Sequence, residues 1–196
     1  MLPTDTFFSD IKLVIAAATA ADRPRLWKLI EELDRVAERV PRTAERCYGY
    51  QARLYLVLQE YPAAMAAVEK ALELMPMDEA LAILRGDIHR EAREYSQALK
   101  DYTEVLEEHP DAVTARIHRA ELLQLQGDYP RALEDINLAL KSEPRSLRLL
   151  YQRGVILSNL GRALEAIADL KNVVRLSPEA DLKKQAKQRL RELGER

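Results

Sequence analysis

The chain has 196 residues, of which 47% are hydrophobic and 32% are charged, and its net charge at pH 7 is −2. This composition indicates a soluble helical protein and argues against a disordered one. The nearly balanced charge argues against nucleic acid or an anionic membrane as the main partner. Cys47 is the only cysteine, so an intramolecular disulfide is excluded. Because the first ten residues lack a basic segment and the apolar run 13–21 is too short to span a bilayer, the sequence predicts a cytoplasmic protein.

The N-terminal part of the chain precedes any regular repeat. Residues 1–9 are predicted to form a tail. A helical pattern starts at Asp10, and a second helix ends before Pro41, because the residue preceding a proline is disfavoured in a helix. One face of the first helix is predicted to hold Leu13, Ala16, Ala17 and Ala20. We therefore predict a helical hairpin over residues 10–44, which is either a degenerate repeat or a dimerisation element.

A pattern with a period of 34 residues occupies residues 45–180. Each unit contains two helical runs, A and B, and a proline near its end. Only Gly or Ala occurs at two positions, one on each helix, where small side chains let the helices approach closely. Since one hairpin cannot bury its own apolar face, neighbouring units are expected to stack. The predicted units are 45–78, 79–112, 113–146 and 147–180.

The last segment, residues 181–196, has the pattern of a terminal capping helix. It carries six Lys or Arg residues and three Asp or Glu residues, so most of its surface is polar. A single apolar stripe at helical spacing is suited to covering the last repeat. The stripe consists of Leu182, Ala186, Leu190 and Leu193.

The four units resemble tetratricopeptide repeats. The resemblance rests on the same positions in every unit, which hold Ala52, Gly86, Ala120 and Gly154 on helix A, Ala64, Ala98, Ala132 and Ala166 on helix B, and Pro76, Pro110, Pro144 and Pro178 at the end. It implies an all-α fold, an α-solenoid of helical hairpins in a right-handed superhelix with a C-terminal capping helix. It also implies a concave groove, lined by the A helices, that binds peptides or protein segments.

One subgroup of this family binds a C-terminal carboxylate through Lys, Asn and Arg at fixed positions of helix A. Two registers are possible here. The first places Gly49, Arg53, Leu84, Thr114 and His118 at those positions, and the second places Ile83, Asp87, His118, Arg148 and Gln152. Because neither set supplies the required donors, the sequence argues against a carboxylate-clamp co-chaperone.

The resemblance predicts a non-enzymatic scaffold that binds a peptide or protein segment, without nucleic acid and without membrane insertion. The alternatives are a client-specific chaperone for a secreted or assembling protein and a non-catalytic subunit of an enzyme complex. The partner's identity and the oligomeric state stay open. The residues predicted to face the groove are Tyr50, Arg53, Leu84, Ile117, His118, Arg148 and Tyr151. For Leu84 and Ile117 a place in the core is an equally good interpretation.

No pattern in the sequence indicates catalysis, a cofactor or a metal. His89, His109 and His118 lack the spacing of metal ligands on one helix. The glycines fall at repeat positions instead of forming a phosphate-binding loop. Cys47 has no neighbouring base in the sequence and is better interpreted as a small buried side chain. We therefore predict no catalytic residues, no metal site and no cofactor.

Overall fold

Helices account for almost all of the regular structure. The computed structural model describes residues 5–17 and 22–195, and within these ranges it contains eleven α-helices and no β-strand. The prediction of an all-α fold built from consecutive helices is therefore confirmed. The sense of the superhelix and the limits of the repeats stay predictions.

The described residues form two compact units, which divide between Val105 and Leu106. The first unit comprises α1 (Asp5–Ala17), α2 (Arg23–Arg39), α3 (Ala44–Val57), α4 (Tyr61–Leu74), α5 (Glu79–Glu91) and most of α6 (Tyr95–Glu108). The second comprises the end of α6, α7 (Val113–Leu125), α8 (Tyr129–Ser142), α9 (Leu147–Asn159), α10 (Ala163–Leu176) and α11 (Ala180–Glu192). A short 3-10 turn, Pro41–Thr43, connects α2 to α3.

Within each unit, neighbouring helices pack against one another, for example α3 against α4 and α9 against α10. We call α3, α5, α7 and α9 the A helices and α4, α6, α8 and α10 the B helices. The contact between A and B helices depends on small residues, as predicted. A Cβ atom added at Gly86 would lie 2.5 Å from the ring of Tyr102, and one added at Gly154 would lie 2.9 Å from Leu170. The missing side chains therefore leave the space that the larger residues of the B helices fill.

Helix α1 differs from the prediction in both its start and its buried face. It begins at Asp5, inside the segment predicted to be a tail. Its buried side chains are Phe8 and Ile11, which are 1% and 2% exposed, whereas Leu13 of the predicted face is 70% exposed. Ala16 and Ala17 are also exposed, and Ala20 lies outside the described residues. The physical reason is that a face with Phe8 and Ile11 buries more apolar area than a face made mostly of alanines.

Helix α11 covers the end of the second unit. The predicted stripe is buried: Leu182, Ala186 and Leu190 pack in one cluster with Leu170 and Val173 of α10. Leu193 packs against the same cluster from its edge. The other faces of α11 carry the Lys and Arg residues into solvent, which is the arrangement that a terminal helix of a stacked array needs.

Candidate partner-binding site

The residues predicted to face a groove fall in both units. Tyr50, Arg53 and Leu84 belong to the first unit, and the other four belong to the second unit: Ile117, His118, Arg148 and Tyr151. The structure brings Tyr50 and Arg53 together in one cavity, but it places Leu84 elsewhere.

The first unit contains a cavity of about 540 Å³, which we call the first-unit groove. Tyr50 and Arg53 of α3 line it, together with residues of α1 and α5. Gly49 lies at its base, where an added Cβ atom would come within 3.1 Å of Leu81. Because Gly49 has no side chain, α3 leaves room between itself and α5. The complete lining is Lys12, Ile15, Ala16, Glu45, Arg46, Gly49, Tyr50, Arg53, Asp78, Ala80 and Leu81.

Tyr50 is held in place by the N-terminal helix. Its ring stacks on Phe8, with a centroid distance of 5.4 Å and an interplanar angle of 18°. The guanidinium of Arg46 lies 4.0 Å from the centroid of the Phe8 ring, on which it makes a cation–π contact. This arrangement fixes α1 beside α3, so the N-terminal helix forms one wall of the first-unit groove.

Leu84 belongs to the core of the first unit. It is 2% exposed and packs in a cluster with Ala52, Ala64, Val68 and Ile88. Of the two interpretations of this residue, the structure therefore supports the core. A partner does not reach Leu84 in this conformation, and we leave it out of the site proposed below.

The second unit has a smaller cavity, of about 410 Å³, between α7, α9 and α11. Tyr151 lines it beside Leu125 and Arg189. Gln152 also lines this cavity, and its amide nitrogen donates a hydrogen bond of 2.9 Å to the carboxylate of Glu121. The side chains that surround Tyr151 are thus mostly amides and apolar groups, with one acid and one base.

The remaining predicted residues have other surroundings. Arg148 makes an ion pair of 3.1 Å with Glu179, the residue before α11, and both side chains are exposed. Ile117 and His118 are half-buried on α7. An exposed ion pair contributes little to stability, so Arg148 is free to exchange Glu179 for another carboxylate.

Three Arg–Asp pairs were not predicted from the sequence. Each joins an A helix to the following B helix, and the pairs are 34 residues apart: Arg85–Asp101, Arg119–Asp135 and Arg153–Asp169, with shortest distances of 2.7, 2.8 and 2.7 Å. The sequence does contain a signal for these pairs, since Arg and Asp recur at the same positions in three of the 34-residue repeats. Comparing the polar residues of the repeats position by position, as was done for the small and apolar residues, would have found the pairs.

The pairs differ in their electrostatics. Arg119 and Arg153 each donate two hydrogen bonds to their aspartate, and these bonds raise the pKa of both guanidinium groups. Burial raises the pKa of Asp101, and the nearby Arg85 only opposes that shift. One carboxylate oxygen of Asp101 accepts no hydrogen bond from the described residues. The Arg85–Asp101 pair is therefore the least favourable of the three pairs.

The described part of the chain contains neither a cluster of metal ligands nor an activated thiol. No group of three or more His, Cys, Asp or Glu side chains there is arranged to hold a metal ion. Cys47 is fully buried, and this burial raises the pKa of its thiol, which makes it a poor nucleophile at neutral pH. None of the helices in residues 5–17 and 22–195 combines the length and apolar character needed to cross a bilayer.

Comparison with known proteins places the repeats in a family. Two family models, both described as Tetratricopeptide repeat, match residues 120–191 and 83–142. No curated protein matches the chain.

Several solved structures share the fold. A thermophilic TPR protein of Thermus thermophilus, TTC0263, is 15% identical over 93% of this chain and 98% of its own, with a TM-score of 0.69. YrrB, described as a TPR protein with an unusual peptide-binding site, is 19% identical over 92% of this chain and 90% of its own, with a TM-score of 0.65. The first TPR of Spaghetti (RPAP3), bound to the HSP90 peptide SRMEEVD, is 22% identical over 59% of this chain and 90% of its own, with a TM-score of 0.54.

At these identities, the similarity establishes the fold alone. The spacing of the small residues, the helical hairpins and both family models nevertheless agree on one assignment. The chain belongs to the tetratricopeptide repeat family.

Proposed function

We propose that this protein is a non-enzymatic interaction scaffold and that the first-unit groove binds a segment of a partner protein. The observation that carries the proposal is the groove itself, which combines an aromatic side chain, an exposed arginine and apolar walls in about 540 Å³. Binding sites of this size usually consist of apolar walls with a few polar groups that fix orientation. Two proteins of similar fold support the proposal, since YrrB is described with a peptide-binding site and the RPAP3 repeat is bound to a peptide.

Two residues are expected to contribute most. Tyr50 offers a rigid aromatic surface, because its ring is already fixed by stacking on Phe8. Aromatic anchors of this kind commonly account for about 2 kcal/mol or more of a binding free energy. Arg53 is exposed at the rim, so its charge mainly tunes the rate of association and its dependence on salt.

The test is affinity capture from the native cell, followed by mass spectrometry and measurement of the captured partner with purified variants. We expect Arg53→Glu to weaken the partner, and the effect to shrink at high salt. The matched control is Lys141→Glu, which makes the same charge reversal on an exposed position of α8. Loss of binding with Lys141→Glu but not with Arg53→Glu would contradict the groove assignment.

The same experiment separates the two alternative functions. If the protein is a dedicated chaperone, the capture should recover one client in its unassembled form. If it is a non-catalytic subunit, the capture should recover a catalytic partner in a fixed ratio. The absence of enzymatic activity and the cytoplasmic location stay predictions, and cell fractionation tests the second.

A further inference from the structure

We propose that the first-unit groove selects an acidic segment, in which carboxylates flank an apolar side chain, and that the N-terminal helix supplies part of this selectivity. The proposal rests on the proposed function, because it names the chemistry of the partner bound at that site. The occupant is a segment of another protein with Asp or Glu residues beside a large apolar residue.

The lining of the groove carries more cationic than anionic side chains. Three cationic side chains, Lys12, Arg46 and Arg53, and two carboxylates, Glu45 and Asp78, line it. The carboxylate of Asp78 is directed to α5, where it accepts a hydrogen bond of 2.9 Å from the backbone N–H of Leu81. The lining therefore carries one more cationic than anionic side chain.

Two of these cations have no ionic partner among the described residues. Neither Lys12 nor Arg53 makes an ion pair with another residue in ranges 5–17 and 22–195, and both side chains are exposed. Some arginines of the first unit are paired, for example Arg23 with Glu60 at 3.1 Å and Arg85 with Asp101 at 2.7 Å. Unpaired cations that share one cavity favour an anionic ligand.

The first turn of helix α5 forms another part of the lining, through Ala80 and Leu81. The N-terminal end of a helix carries a partial positive charge. In α5 this charge is offset by Asp78, which caps the helix, and by Glu79 in the first turn. The positive field of the groove therefore comes from the lysine and arginine side chains and not from the helix.

The apolar walls define the other half of the ligand. Ile15 and Ala16 of α1 and Leu81 of α5 line the same cavity, and Gly49 leaves its base open. A purely charged tail would leave these surfaces in water. An apolar side chain between acidic residues would cover them and place carboxylates near the cations at the rim.

Helix α1 is positioned firmly enough to form part of such a site. Phe8 and Ile11 are buried in the same cluster as Leu26, Ile30 and Leu33 of α2. The next turns of α1 then place Lys12 and Ile15 on the wall of the groove. The N-terminal segment is therefore a component of the binding surface and not only an extension of the array.

The experiment is selection of binders from a phage-displayed library of random linear peptides against the full-length protein. We expect the selected peptides to be enriched in Asp and Glu next to Leu, Phe or Trp. The affinity of a selected peptide, measured by fluorescence polarisation, should fall about tenfold with Lys12→Glu and with Arg53→Glu. Lys28→Glu, the same charge reversal at an exposed position of α2, should change it by less than about twofold.

A steric variant separates this inference from the proposed function. Ala80 is exposed and lines the groove, so Ala80→Trp fills the cavity without altering the core or the charge. Peptides that lose binding with Ala80→Trp but show no acidic enrichment would overturn the acidic selectivity and leave the groove in place. Acidic peptides that bind Lys12→Glu and Arg53→Glu as tightly as the parent would also overturn it. Peptides unaffected by Ala80→Trp, or no enrichment over an empty bait, would contradict both proposals.

Discussion

The two compact units of this protein contain the same repeat, but the first unit departs from it at more positions than the second. In the second unit, the turns between A and B helices have Gly127 and Gly161 in the left-handed conformation, at φ of 79° and 74°. The equivalent positions in the first unit are Gln59 and Arg93, both at φ of 63°. A side chain in this conformation costs about 1–2 kcal/mol, so the first unit tolerates strain that the second avoids.

The polar contacts show the same contrast. In the first 34-residue repeat, Gln51 occupies the position that holds a paired arginine in the later repeats, namely Arg85, Arg119 and Arg153. Its amide donates hydrogen bonds to the carbonyl of Ile30 at 3.1 Å and to Asp34 at 2.7 Å, so it connects α3 to α2 instead of α4. The first unit therefore departs from the repeat where it accommodates the N-terminal helices. That is also where the unpaired cations lie, as expected if function competes with repeat regularity.

The largest expected effect is on the core of the first unit. Leu84→Ala removes a side chain that is 2% exposed and should lower the free energy of unfolding by about 2–5 kcal/mol. The control is Leu164→Ala in the second unit, where an 85% exposed leucine should contribute within about 0.5 kcal/mol. Urea unfolding followed by circular dichroism measures both. A small loss with Leu84→Ala would return this residue to the candidate surface.

A smaller difference is expected between the buried aspartates of the two units. Asp169→Asn weakens two charge-assisted hydrogen bonds from Arg153 and should cost about 2 kcal/mol. Asp101→Asn should cost less, because burial raises the pKa of Asp101 and the folded state already disfavours its charge. The sign follows from that shift: the contribution of Asp101 to stability falls as the pH rises through its raised pKa. Urea midpoints at neutral pH that fall equally would show that the two pairs are equivalent.

The turn residues give a still smaller effect with opposite signs in the two units. Gln59→Gly and Arg93→Gly should each raise stability by about 1 kcal/mol, because glycine adopts a positive φ without steric cost. Gly127→Ala and Gly161→Ala should lower it by about the same amount. Thermal melts of the four variants test this, and equal signs in both units would contradict the strain assigned to the first.

Cys47 offers a kinetic test that reports on the first unit alone. Its thiol is fully buried, and burial raises its pKa, so the reactive thiolate is scarce at neutral pH. We expect slow modification by a disulfide reagent in the native protein and fast modification after unfolding in urea. Rapid native labelling would show that the region around α3 opens more readily than its packing indicates.

The sequence predicted the features that depend on periodicity. The small residues between A and B helices and the stripe of α11 follow directly from repeat spacing, and the structure shows both buried. The prediction was wrong at α1, because a short segment outside the repeat offers two apolar faces. The face with Phe8 and Ile11 is chosen by its larger apolar area and by tertiary contacts with α2 and with Tyr50. The sequence did not decide whether Leu84 lies in the core or in the groove, because a leucine on helix A has the same spacing pattern in both cases.

A partner bound in the first-unit groove contacts the wall formed by α1 and the A helices of the first unit. Hydrogen exchange measured by mass spectrometry, on the protein alone and with its captured partner, tests this contact directly. We expect added protection in the segments of α1 and α3, Asp5–Ala17 and Ala44–Val57, and little change in α4, Tyr61–Leu74. Protection confined to α4, with α1 and α3 exchanging as in the free protein, would contradict it.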